Sequence, residues 1–262
     1  MSQLFFIKNT TLLVFFGFLV LGFVGVPFTS AMSQQVSAST ESPLTTGTVF
    51  ADGVANTGFI ESLGNTYQVT ISTAHANDLI VVVMIFYNTI TVTAQSKVVS
   101  ISDTAGHHWT TISNHLNSQG HVIQPAIFVT HSRSVLSSDQ ITLVTGKDSS
   151  QYQLTAFAIN GVKSFDNSTS LPKIVENTGP IASLKFATTS GGEVALAYLA
   201  TNHGADIVSY PSKYTPITTE TNGQWFYVAF KVFGISTTHP SFSWNLSPSD
   251  TYAVLGDAMV LG

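Results

Sequence analysis

The 262-residue sequence predicts an all-β fold, an antiparallel β-sandwich, placed after an N-terminal export signal. Three observations carry the reading. From Thr48 onward, short extended runs recur between turn signals, and no segment sustains a helical period. One of them, Leu79–Tyr87 (LIVVVMIFY), is apolar or aromatic at all nine positions and rich in β-branched residues, which favour extended backbone. The second half of the chain also echoes the first, which suggests two half-repeats whose strands interleave in one jelly-roll-like sandwich.

The leader comes first. Lys8 sits in a short polar start, an apolar stretch runs from Leu12 to Phe28, and Thr29 and Ala31 stand at the −3 and −1 places of a signal-peptidase site. About seventeen apolar residues is also the lower edge of a bilayer span, so residues 1–31 read as a signal peptide or an uncleaved anchor. Pro27 and the small residues after it favour cleavage. Either way the rest of the chain faces outward, so the expected location is secreted or at the cell surface. Residues 32–47 are a Ser/Thr-rich linker without periodicity, and the sandwich domain is expected over 48–262.

Within that domain the runs TYQVTIST (66–73), KVVSIS (97–102), AIFVTHS, QITLVT and YQLTAFAI precede SLKFATT, EVALAYLA, QWFYVAFKVF, SFSWNL and YAVLGDAMVL. As a helix, Leu79–Tyr87 would cover only about 14 Å, half a bilayer, and Asn77-Asp78 and Asn88 bracket it with turn residues. It is therefore a strand, and alternation puts apolar side chains on both its faces. The inner face lines the core. The outer face needs a cover, either Val49–Ile60 folded across it or another molecule. The halves correspond at "ANDLIVVVMIFYN" and "GGEVALAYLATN", and at Tyr152 and Tyr252, each opening a face of Tyr, apolar, small and Ala.

Composition narrows the function classes. Without Lys8, eight basic residues face fourteen acidic ones, a net charge of −6 that argues against a nucleic-acid surface. There is no cysteine, so packing alone must stabilise the fold.

The chain resembles a jelly-roll-like sandwich module of secreted bacterial and archaeal surface proteins. The resemblance rests on Ala76-Asn77-Asp78 before the buried strand, on a D-x-x-G-x-x-W-T loop at Asp103, Gly106, Trp109 and Thr110, and on "YPSKYT" and "SDTYAV". It spans roughly residues 48–261 and implies an adhesive, filament-forming or sugar-binding unit without a common activity. His107-His108 stands where that loop usually carries small polar residues.

His107, His108, His115 and His121 form the densest histidine group, but no ligand spacing links them, and solvated loop histidines are favoured over a metal site. Asp103 and Gly106 read as a structural turn rather than a calcium loop. In QWFYVAFKVF, Phe226, Val228, Phe230 and Val232 share one face and read as core. Trp225 and Tyr227 read as half-exposed and, with Tyr210 and Tyr214, make a candidate sugar platform weighed against simple burial. Trp244 belongs to the core. Asn167 (NST) and Asn245 (NLS, followed by Pro248) are glycosylation sequons. No catalytic motif is present, and Glu193, Glu220 and Asp257 show no pattern that would pair them for glycoside hydrolysis.

The sequence thus points to a non-enzymatic, self-associating structural or adhesive protein that needs no cofactor. The alternatives are a carbohydrate-binding module using its exposed aromatics and a glycan-acting hydrolase or lyase. Expected partners are further copies of the chain or surface glycans, with membrane contact only through the leader.

Overall fold

The computed structural model describes residues 49–87, 97–114, 123–189, 193–203, 206–218, 225–233 and 239–262. The leader 1–31, the linker 32–47, His115, His121 and Glu220 lie outside them. Thirteen strands and no helix occur among the described residues. The first half supplies β1 (Phe50–Ile71), β2 (Asp78–Tyr87), β3 (Val98–Asp103), β4 (Thr110–Asn114), β5 (Ile123–Ser132) and β6 (Asp139–Asn160). A short β7 (Val162–Phe165) leads to β8 (Lys173–Lys185), β9 (Glu193–Thr201), β10 (Asp206–Ser209), β11 (Thr215–Pro216), β12 (Phe226–Val232) and β13 (Ser241–Leu261).

All pairing is antiparallel. One sheet runs β1-β6-β2-β5-β4 with β3 added on β6. The other runs β13-β9-β12-β11, with β10, β8 and β7 all pairing β13. The duplication is therefore complete in topology: β8, β9, β10, β11, β12 and β13 stand where β1, β2, β3, β4, β5 and β6 stand. Each half builds its own sheet, so the halves lie face to face and do not interleave.

Four strands are bent, and the bends explain the cover. The second part of β6 (Tyr152–Ile159) pairs with β2, while its first part (Ile141–Val144) pairs with the end of β1 and with β3. This three-stranded flap folds back over the outer face of β2. Tyr67 reaches Phe86 and Tyr152 edge-on at 6.4 and 4.5 Å. Ile80, Val82, Met84 and Phe86 thus join Val69, Ile71, Ile141 and Leu143 in one buried cluster. The sequence expectation for Val49–Ile60 is corrected, because that segment lies beside β6 within the sheet and does not fold across the outer face of β2. The second half repeats the device: Phe242, Trp244 and Leu246 of β13, with Ala182, Leu184 and Phe186, cover Ala197 and Leu199.

Between the sheets, Leu79, Val81, Val83, Ile85 and Tyr87 meet Val194, Leu196, Tyr198 and Ala200, together with Phe226, Val228 and Phe230. The core expectation for Val232 is corrected, because it ends β12 beyond the packed region and is 46% exposed. Every residue of β2 is buried, on both faces. The small residues singled out after Tyr152 and Tyr252 have a physical cause. Ala156, Ala158, Gly256 and Ala258 lie under the flaps, where a side chain on Gly256 would meet the Phe186 ring at 2.4 Å.

Candidate functional site

Polar chemistry concentrates in the loops at the start of β2. In the D-x-x-G-x-x-W-T loop, Asp103 ends β3 and gathers three donors. The His107 amide donates to Oδ1 at 2.9 Å, the Trp109 indole to Oδ2 at 2.8 Å, and the His107 ring lies 3.0 Å from Oδ2. Burial pushes this carboxyl up, but the bonds from His107 and Trp109 outweigh it and hold it below the usual carboxylate range. Gly106 takes φ 79°, a left-handed conformation that suits glycine. His107 and His108 fall in the loop between β3 and β4.

Asp139, at the start of β6, accepts from the Thr104 hydroxyl and the Ala105 amide at 2.7 and 2.9 Å. Asp103, His107 and Asp139 offer ligand atoms within 4.8 Å of one another and are the group that could hold a metal among the described residues. Both oxygens of Asp103 and one of Asp139 already accept hydrogen bonds, so this network fits a clamp that fixes the loop.

A second clamp joins β1 to the loop before β2. The His75 amide donates to Asp52 Oδ2 at 2.7 Å and its Nδ1 lies 2.6 Å from Oδ1, which raises the imidazole pKa. Asp78 is fully buried and accepts from Asn160 Nδ2 at 2.9 Å. Burial, with the Asp52 carboxylate beside it, pushes Asp78 up to about 6. The acidic residue that announces the buried strand thus belongs to a buried acid pair.

The other half repeats this arrangement with different residues. The Thr189 amide and hydroxyl take the place of His75 on Asp166, at 2.6 and 2.9 Å, and Glu193 opens β9 as Asp78 opens β2. Deeper in, Asp257 is held well above the ordinary carboxyl range by burial. Its Oδ2 and the Tyr198 hydroxyl have no hydrogen-bond partner among the described residues. At the bend of β13, His203 clamps Asp250 by amide and Nδ1 at 2.8 and 2.7 Å. None of these Asp–His clamps brings a serine or threonine hydroxyl to the second imidazole nitrogen in the hydrogen bonds of the described residues, and that of His203 lies 3.3 Å from Asn202 Nδ2.

The half-exposed reading holds for Trp225, as it does for Tyr210, and is corrected for Tyr227. Tyr227 and Tyr214 are buried beneath the second flap, and Tyr210 spends its hydroxyl on the Thr218 carbonyl at 2.9 Å. Trp225 stacks on Phe59 with ring centroids 3.7 Å apart and meets the edge of Tyr87, so it plugs the space between the sheets. Its amide donates to Gln153 Oε1 at 2.8 Å, a buried bridge from one sheet to the other. Trp244 is fully buried. Asn167 is exposed in the turn after β7, whereas Asn245 lies within β13 with its amide on Ser209 Oγ at 2.6 Å. Glu193 and Asp257 are both buried.

The residues that sequence reasoning missed are Asp52, His75, Asp166 and Thr189. Their partners are 23 residues away in each case, and no local motif marks them. No family model matches the chain, and no curated protein or solved structure matches it either.

Proposed function

We propose that the chain acts outside the cell as a non-enzymatic β-sandwich, a structural or adhesive unit that joins further copies of itself. The observation that carries this is the edge strand β8. Its two arms, Lys173–Gly179 and Ile181–Lys185, meet at the Gly179-Pro180 bend, and each is hydrogen-bonded on one side only among the described residues, to β13. An arm with one side unpaired is a template for strand addition, and folded proteins commonly shorten or break up such edges. The other strands paired on one side among the described residues are shorter or more broken: β1 has four register shifts, β3 six residues, β4 five, β7 and β10 four each and β11 two. On β8 the single shift falls where β13 bends. Since each sheet face is covered by its own flap, association on this reading uses a strand edge.

Sedimentation velocity at rising protein concentration tests it, with Ile181→Lys as the variant. Ile181 is 55% exposed on β8, and a charge there disfavours edge pairing without touching the core. The expected result is concentration-dependent growth, weakened about tenfold by the variant, roughly 1.4 kcal/mol. A monomer at every concentration, or equal association of both proteins, contradicts the proposal.

A further inference from the structure

Lys173 and Lys185 open and close β8, and in a straight strand they would lie about 40 Å apart. The bend at Gly179-Pro180 returns the strand on itself, and Lys173 Nζ donates to the Lys185 carbonyl at 2.8 Å. Two of the nine basic residues in an acidic chain thereby meet. Around them is an open groove of about 550 Å³, lined by Ser183, Ser212, Ser241 and Ser243, with Leu184 and Phe242 at its base. Ser183 and Ser243 are register partners, as are Lys185 and Ser241, so two strands present a ladder of hydroxyls and an ammonium on one face. Ser212 comes from the "YPSKYT" loop, whose turn closes by a bond from the Tyr214 amide to the Pro211 carbonyl at 3.1 Å, with Lys213 at φ 65°. That loop thus builds a wall of the groove, while its two tyrosines are spent on packing.

No carboxylate lines the groove among the described residues. Ammonium groups pair with oxyanions, and serine hydroxyls both donate to and accept from sugar hydroxyls. We infer that this groove binds an anionic polysaccharide, a polymer of neutral hydroxyls carrying spaced carboxylate or sulfate groups. Nucleic acid fits less well, because two cations neutralise few phosphates and the one aromatic ring at the site, Phe242, is buried beneath it. The inference is independent of self-association.

Binding of the purified protein to polygalacturonate, dextran sulfate, neutral dextran and single-stranded DNA at low and high salt tests it. The expected result is salt-sensitive binding to at least one of the two anionic glycans, and their order assigns carboxylate or sulfate. Lys173→Gln with Lys185→Gln should weaken binding about tenfold. Ser243→Asp should do the same, without altering the Lys173 hydrogen bond. Lys97→Gln with Lys163→Gln, which removes the same charge elsewhere, should change it less than twofold. Each variant is first shown to melt as the parent does. No binding to either anionic glycan, equal losses from the two lysine pairs, or binding of DNA as tight as that of the glycan would each overturn the inference.

Discussion

Gly256→Ala is the smallest change that interrogates the flaps. The added Cβ would sit 2.4 and 2.5 Å from two atoms of the Phe186 ring and 2.9 Å from a Leu184 methyl. Phe186 cannot swing away cheaply: it is 3% exposed, packed edge-on against Phe242, and its amide is fixed to the Pro240 carbonyl at 3.1 Å. Overpacking of this kind costs about 1–3 kcal/mol, whereas replacing glycine in a strand returns about 0.5–1 kcal/mol of backbone entropy. The net expectation is a loss of about 1–2 kcal/mol, or roughly 2–8 °C in Tm for a domain of this size. The matching position in the first half, Ala156, already carries a Cβ at full burial, so Ala156→Gly should also destabilise, by removing contacts rather than adding them. Urea denaturation of both variants, with Phe186→Leu as the partner in a double-mutant cycle, measures the effect directly. Phe186→Leu should absorb at least half of the Gly256→Ala penalty. A Gly256→Ala protein as stable as the parent, or strictly additive effects with Phe186→Leu, would refute the close approach of flap to sheet.

Further expectations concern the polar clamps. Asp78 carries a folded pKa of about 6 against an ordinary 3.8, so the native state binds the proton more tightly and stability falls as pH rises through that window. His75, raised from 6.5, acts in the same direction at higher pH, while Asp103 and Asp166, held low, lose their contribution as pH falls below about 4. Urea midpoints should therefore peak near about pH 4–5 and decline toward about pH 8, and Asp78→Asn should flatten the lower part of that decline, up to about pH 6, leaving the part above it to His75; a steady rise over the same range contradicts the assignment. Asp103→Ala strands the His107 amide and the Trp109 indole and should cost about 2–4 kcal/mol, with a red shift in tryptophan emission as Trp109 gains solvent. Unchanged emission would show that the loop does not depend on Asp103. Asp257→Asn removes a buried group that resists ionisation, so the variant should exceed the parent in stability at about pH 9 and match it within about 1 kcal/mol at about pH 5. Equal stability at both pH values would refute the burial of that carboxyl.

Much of the fold was legible in local pattern because a strand buried on both faces leaves a continuous apolar run. Leu79–Tyr87 is such a run, and β2 is buried throughout. The kinship of the segments at Tyr152 and Tyr252 was also legible, since both faces repeat at the same spacing. Hidden were the bends. QITLVT and YQLTAFAI read as two strands because alternation breaks between them, yet the backbone stays extended through the break as β6. A bend moves the first part of a strand onto the outer face of its own sheet, and that long-range event decides what Tyr227 meets. Alternation marks Tyr227 as half-exposed, and the flap buries it. The clamp on Asp52 and the meeting of Lys173 with Lys185 depend on the same long-range geometry, which composition and spacing do not encode.

Because the chain has no cysteine, a single introduced thiol reports burial of the outer face of β2 without interference. Val82→Cys places the thiol on that face, where the native side chain is 0% exposed, and Val99→Cys places it on the flap surface, where exposure is 62%. At nanomolar protein, where copies do not associate, the account predicts that the Val82→Cys protein reacts with a thiol reagent only as fast as the whole domain unfolds, while the Val99→Cys protein reacts at once. Rapid labelling of folded Val82→Cys protein would contradict the claim that one molecule covers both faces of its central strand.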